Sequence, residues 1–147
     1  MENCYSIIEI TSKKNICDSI TLSYEERFLR RKKLVSDNGI EFLVNLPETK
    51  SLNHHHAFKL KNGMLVNIKL KKEPLLEISG KNLMQLIWHI GNRHIPCEIS
   101  KNKIFIQDAL VIKELIEKLG GEVKSINQTF SPEGGAYGVG RTHSHKH

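Results

Sequence analysis

Leu75-Leu76-Glu77-Ile78-Ser79-Gly80-Lys81-Asn82-Leu83-Met84-Gln85-Leu86-Ile87-Trp88-His89-Ile90-Gly91 decides how the second half of this chain folds. Its first five residues are apolar-rich and short, as a strand requires, and Gly80 divides them from a segment with a longer period. Leu83, Leu86, Ile87 and Ile90 recur at helical spacing and line one face of a helix over 81–90. Gly91 suits the left-handed position just past that helix. Beyond it, 97–100 and 103–106 read as strands joined by the turn Lys101-Asn102. Asp108 is placed to cap a second helix over 109–119, whose core stripe is Ala109, Ile112, Leu115, Ile116 and Leu119. Gly120-Gly121 stops it, and 122–126 is a last strand. The order β-α-β-β-α-β is the ferredoxin-like unit, with both helices on one face of a four-stranded sheet.

Working backwards, the period changes near Lys72-Glu73-Pro74, and the first half reads as strands. Segments 6–10, 18–23, 33–36, 41–46 and 64–70 are short and rich in Ile, Leu and Val. Asp37-Asn38-Gly39 and Lys61-Asn62-Gly63 are hairpin punctuation between them. A compact β-sandwich or small barrel follows, with residues 47–63 left mostly as loop. After Phe130 no periodicity remains, and residues from Arg141 on are expected to be mobile. The whole is an α+β chain: a β-rich, sandwich-like domain over 1–72, a ferredoxin-like domain over 73–130, and a disordered histidine-bearing tail over 131–147.

Composition bounds the function. The chain of 147 residues is 39% hydrophobic and 6% aromatic, enough for thin aliphatic cores. Cys4, Cys17 and Cys97 form neither a CxxC pair nor an even set, which argues for a reducing compartment. No stretch approaches the roughly 20 apolar residues of a membrane span, and no signal-peptide core opens the chain, so the expected location is cytoplasmic. The net charge of +6 sits mainly in the first half, where 1–72 carry 13 Lys+Arg against 8 Asp+Glu. The excess lies in Arg27-Phe28-Leu29-Arg30-Arg31-Lys32-Lys33 and Lys69-Leu70-Lys71-Lys72. A solvated basic face accounts for this; the alternative is a basic interaction module binding RNA or an acidic protein surface. No RNA-binding signature or aromatic stacking platform accompanies it.

The chemistry sits in the histidines. Imidazole is the commonest ligand for borderline divalent metals, and five of the eight histidines lie in two places. One is Trp88-His89-Ile90-Gly91-Asn92-Arg93-His94-Ile95-Pro96; the other is Thr142-His143-Ser144-His145-Lys146-His147. His94 stands on a connector stiffened by Pro96. Position alone reads it as a surface or capping histidine, but a two-fold axis through this face would bring two copies together. His89 falls inside the helix and reads first as a partly buried residue, with metal contact the lesser option. His143, His145 and His147 alternate, so on an extended segment they point the same way and can close on one ion. His54-His55-His56 reads as a solvated loop in which only His54 and His56 could chelate together, and Cys97 as a buried strand cysteine. No P-loop, nucleophile elbow or H-E-x-x-H is present, and an enzyme is not expected.

These residues carry a specific likeness. Trp88 to Pro96 resembles the aromatic-His-Leu-Gly-Asn-Arg-His-x-Pro motif of the UreE urease accessory proteins, which are nickel metallochaperones. Phe130-Ser131-Pro132-Glu133-Gly134-Gly135-Ala136-Tyr137-Gly138 resembles that family's F-x-P-E-x-G-A-Y-G motif, and Tyr24-Glu25-Glu26-Arg27 and Leu46-Pro47 resemble its N-terminal pattern. The resemblance implies a partner- or peptide-binding N-terminal domain and a homodimer joined through the C-terminal domains. It implies one Ni2+ between two copies of His94, with His143 and His145 completing the coordination, His89 and His147 as secondary candidates, and Zn2+ or Cu2+ as competitors. Delivery to the GTPase UreG and the urease apoprotein complex is implied as well, with no membrane or nucleic acid involved. Some members carry histidines beside the aspartate that opens the second helix; here Gln107 and Ala109 flank Asp108, so that extra site is not carried over.

Overall fold

The computed structural model describes residues 1–12 and 14–134. The mobile tail expected from the sequence, with His143, His145 and His147, lies outside the described residues. The chain divides into two compact units, Met1–Lys71 and a second that begins at Lys72.

The first unit is built from β1 (Glu2–Glu9), β2 (Ile16–Leu22), a 3-10 turn (Glu25–Arg27), β3 (Phe28–Val35), β4 (Glu41–Ser51), β5 (His56–Leu60) and β6 (Leu65–Leu70). They form one six-stranded sheet in the order β2-β6-β5-β1-β4-β3. The two hairpins, β3–β4 and β5–β6, turn where the sequence places them. Gly39 (φ 97°) and Gly63 (φ 90°) supply the left-handed backbone that a side chain would oppose. β1 runs parallel to β4, and β2 parallel to β6. The sheet curls, because the β3–β4 turn at one edge bonds to β2 at the other. Asp37 donates its N–H to the Ser19 carbonyl at 2.8 Å. The Asp37 carboxylate accepts from the Ser19 and Thr21 hydroxyls (2.7 and 3.0 Å) and from the Thr21 N–H (3.1 Å). Beside it the buried Asp18 accepts from the Ser36 hydroxyl, the Ser19 N–H, and the backbone and side-chain N–H groups of Asn38. The Ser36 hydroxyl holds the Asp18 carboxyl below its ordinary value against the opposing effect of burial, and Ser19 does the same for Asp37. Inside the curl lie Phe42, Val44, Leu46, Phe58, Leu60, Val66 and Ile68, with the Phe42 and Phe58 rings 5.3 Å apart.

Several strands depart from the sequence expectation: β1 begins at Glu2 and β3 at Phe28, not at 6 and 33. β4 runs on to Ser51, and β5 occupies residues expected to be loop. Ala57 and Phe58 are both fully buried in β5, so the segment lacks the alternation that marks a strand in sequence. The basic run has a local explanation. β3 is an edge strand that exposes Arg30, Arg31, Lys32 and Lys33, and such charge blocks pairing with another chain.

In the second unit β7 (Glu73–Ser79), α1 (Leu83–Asn92), β8 (Glu98–Ile99), β9 (Ile104–Gln107), α2 (Leu110–Lys118) and β10 (Glu122–Gln128) follow in that order. The sheet order is β10-β7-β9-β8 with every neighbouring pair antiparallel, the ferredoxin-like arrangement. Leu86 and Ile90 of α1 and Ile116 of α2 are buried with Leu76, Ile78, Ile104 and Ile106 of the sheet. Leu83, Ile87, Ile112 and Leu119 flank them, as their spacing requires. Ala109, expected in the α2 stripe, is exposed and precedes the helix as its N-cap. Asp108 therefore does not cap α2, and no side chain does; Asp108 instead donates its backbone N–H to Pro74. The Asn82 amide ties the start of α1 to the end of α2 by donating to the Leu119 carbonyl at 2.7 Å. No helix among the described residues is long and apolar enough to cross a membrane.

The two glycines after α2 do different work. Gly120 (φ 90°) reverses the chain. Gly121 makes room: a methyl group there would come 2.7 Å from Ile116 Cγ2 and 2.8 Å from Leu86 Cδ1. Gly121→Ala should therefore force both helices off the sheet and cost about 1–3 kcal/mol in urea unfolding. An unchanged midpoint would show that α1 and α2 give way without cost.

Candidate metal centre

The C-terminal end of α1 decides where His94 points. Ile95 donates its N–H to the Ile90 carbonyl (3.3 Å) and His94 donates to Gly91 (3.0 Å), while His94 itself has φ 56°. This is the six-to-one and five-to-two pattern of a Schellman motif, with His94 at the left-handed position just past the helix and Ile95 folding back onto the core that holds Ile90. The sequence assigns that position to Gly91, which instead lies inside α1. The helix runs one turn fraction further because Asn92 continues it and the Arg93 guanidinium bonds the His89 carbonyl at 3.0 Å. A histidine thus sits where glycine is the usual residue, and its imidazole is exposed at a rigid corner. Non-glycine residues at positive φ are uncommon, and strained ones cluster at functional sites.

The second motif comes to the same connector. Phe130 is fully buried. Just past it, the Ser131 N–H donates to the Glu98 carboxylate at 2.7 Å, and the Glu133 N–H donates to the Cys97 carbonyl at 2.8 Å. Residues 131–133 are thereby pinned three residues from His94. Ten residues separate Glu133 from His143, a reach of at most about 35 Å.

The other candidates are placed differently. His89 is half-buried on α1, its ring edge-on to Trp88 at 5.1 Å. Cys97 is only half-buried and precedes β8, not within a strand as expected; burial, with the Glu133 charge adding to it, pushes its thiol pKa up and disfavours the thiolate a metal would need. His54 and His55 do not lie on an extended segment with His56, which is the first residue of β5. A turn before β5 puts His54 and His55 together, with His55 Nδ1 3.2 Å from His54 Nε2, while His56 Nδ1 accepts the Asn53 N–H. The cluster is solvated at His54 and His55, as expected, but the rings that meet are neighbours and not His54 and His56, because a turn brings adjacent side chains to one side where a strand separates them. Among the described residues, no three His, Cys, Asp or Glu side chains converge on a point that could hold an ion. The anchoring of residues 131–133 beside His94 was not read from the sequence; the signal was a phenylalanine and a Pro-Glu pair ahead of a glycine-rich run.

Comparisons with known proteins cover both units. Residues 8–71 match the model of the UreE urease accessory protein N-terminal domain, and residues 73–147 match that of the C-terminal domain. The chain is 48% identical to the urease accessory protein UreE of Ruegeria pomeroyi over 88% of its own length and 87% of the relative's. It is 46% identical to that of Rhodobacter capsulatus over 88% and 83% of the two chains. The counterpart in Paracoccus denitrificans is 44% identical over 84% and 79%. With both domain models matched in order, and with the two signature segments meeting at the corner that presents His94, the chain belongs to the UreE family of urease accessory proteins.

Proposed function

We propose that the protein is a nickel metallochaperone. It works as a homodimer that carries Ni2+ between two copies of His94 and hands it, through the GTPase UreG, to the urease apoprotein complex. The observation that carries this reading is the geometry of His94: an exposed imidazole at a left-handed helix terminus, with the root of the tail bonded to the same connector. Imidazole suits nickel, zinc and copper alike, so Zn2+ and Cu2+ would compete. One His94 cannot hold an ion alone. The remaining donors would come from a second copy of His94 and from His143 and His145, with His147 and His89 as secondary candidates. Trp88 and Met84 support an interface on this side of the unit. They stand four residues apart on α1 and are 63% and 82% exposed, so a second copy covering them would remove large apolar side chains from water. Tail imidazoles that leave and return would let the ion pass to a partner's ligands, and no substrate would be turned over.

The test is a nickel titration by calorimetry on wild type and His94→Ala, with mass measured by light scattering. One tight ion per dimer, lost in the variant while the dimer persists, is the expected result. Unchanged tight binding in His94→Ala would remove His94 from the site and overturn the reading.

A further inference from the structure

We propose that His54 and His55 form a second divalent-metal site in the N-terminal unit, taking a borderline ion such as Ni2+, Cu2+ or Zn2+ as a two-imidazole chelate. The carrying observation is the separation of 3.2 Å between His55 Nδ1 and His54 Nε2, with the rings edge-on at 73°. Two nitrogens each about 2.1 Å from one ion lie roughly 3.0 to 3.4 Å apart when they occupy adjacent corners of an octahedron or tetrahedron. The pair is thus already spaced as two cis ligands. Turning both rings by roughly 40° would aim their lone pairs at a common point. Both side chains are exposed, with the His55 ring also 5.7 Å from that of His56.

The backbone that presents them is fixed. The Asn53 side-chain oxygen accepts the His55 N–H (3.1 Å), the Asn53 carbonyl accepts the His56 N–H (3.1 Å), and the Ile10 N–H donates to the His55 carbonyl (2.8 Å). His56 is occupied in holding this turn, which leaves its neighbours as the chelating pair. Both rings border an open cleft of about 620 Å³, also lined by Ile10, Ile16 and Asn67. The cleft leaves room for water ligands. A chelate of two neutral imidazoles with water elsewhere binds weakly and exchanges fast. It would serve as a loading position and not as a store. The site stands independently of the His94 reading, since it uses none of the same residues.

The experiment is equilibrium dialysis of the full-length chain against NiCl2. The background carries His89→Ala, His94→Ala, His143→Ala, His145→Ala and His147→Ala, so that every candidate residue of the other site is gone. One weakly held nickel per chain should remain, and adding His54→Gln with His55→Gln should weaken it by at least about tenfold. Copper in the same background should give an electron paramagnetic resonance spectrum with two equatorial nitrogens, lost in the doubly substituted chain. No nickel bound in the background, or the same binding after both glutamines are introduced, would overturn the proposal and reduce the pair to a hydrogen bond between two rings. Neither result bears on whether His94 binds nickel in the wild type.

Discussion

His94→Gly should make the protein more stable and useless for nickel. The left-handed conformation at φ 56° costs a side-chain-bearing residue about 1–2 kcal/mol, and histidine is among the types that tolerate it better than most. Glycine would release that strain but would also lose more backbone entropy on folding, about 0.5–1 kcal/mol. The net expectation is a gain of up to about 1 kcal/mol in urea unfolding. His94→Ala keeps the strain and should leave stability nearly where it was. In the proposed nickel site, both variants would lose an imidazole ligand. Changes to outer-shell partners alone lower metal affinity by about 10–100-fold, so loss of the ligand itself should exceed about 100-fold in a nickel titration. The pair of variants separates two explanations for a histidine at this corner. Gain of stability with loss of nickel in His94→Gly would mean that the residue is held at a thermodynamic disadvantage for the sake of its ring. A His94→Gly chain less stable than His94→Ala would mean that the imidazole supports the fold, and the strain argument for function would fail.

What could be read in the sequence, and what could not, follows from the range of the interactions. The α1 and α2 stripes and the turns at Gly39 and Gly63 were legible because each rests on spacing within a few residues. The topology of the second unit followed from the order of its elements. The helix ends were misplaced. Gly91 and Asp108 are the expected residue types for a helix stop and a helix cap, but the stop is made by His94 and α2 starts without a side-chain cap. Those choices are set by tertiary contacts: the Ile95 packing at one end and the Asp108 N–H bond to Pro74 at the other. β5 is hidden because it is short and its adjacent Ala57 and Phe58 are both buried, which breaks the alternation over its first residues. At the site, the resemblance pointed to His94 and to the Phe130 motif separately. Only the bonds from Ser131 and Glu133 to the Cys97–Glu98 backbone and side chain show why the two belong together.

Tyr24-Glu25-Glu26-Arg27 resembles the family's N-terminal pattern, and its structure leads to the largest expected stability effect. Arg27 ends the 3-10 turn and is only 2% exposed. Its Nε donates to the Leu52 carbonyl (3.1 Å) and its Nη1 to the Leu22 carbonyl (3.3 Å), and the guanidinium carbon stands 5.7 Å from the centre of the Tyr24 ring. The Arg27 carbonyl accepts the Leu52 N–H as well (2.8 Å), so one residue joins the end of β2 to the end of β4. Upstream, Glu26 accepts the Ser23 N–H at 2.9 Å and the Ser23 hydroxyl accepts from Glu26, a capping box that sets the turn. Arg27→Ala would take the charged donor from the Leu52 carbonyl, leave the Leu22 carbonyl with the Lys71 N–H (2.9 Å), and open a cavity the size of the side chain. Hydrogen bonds to charged groups contribute about 1.5–3 kcal/mol each, and losing one side of a buried polar arrangement costs about 3–5 kcal/mol, so a loss in that range is expected. Arg27→Lys keeps the charge but cannot supply two donors from a planar fork, and should recover less than half. Urea unfolding followed by circular dichroism measures the loss, and amide exchange at Leu22 and Leu52 locates it. A change below about 1 kcal/mol would mean that water replaces the guanidinium at both carbonyls, and Arg27 would then matter for something other than the fold.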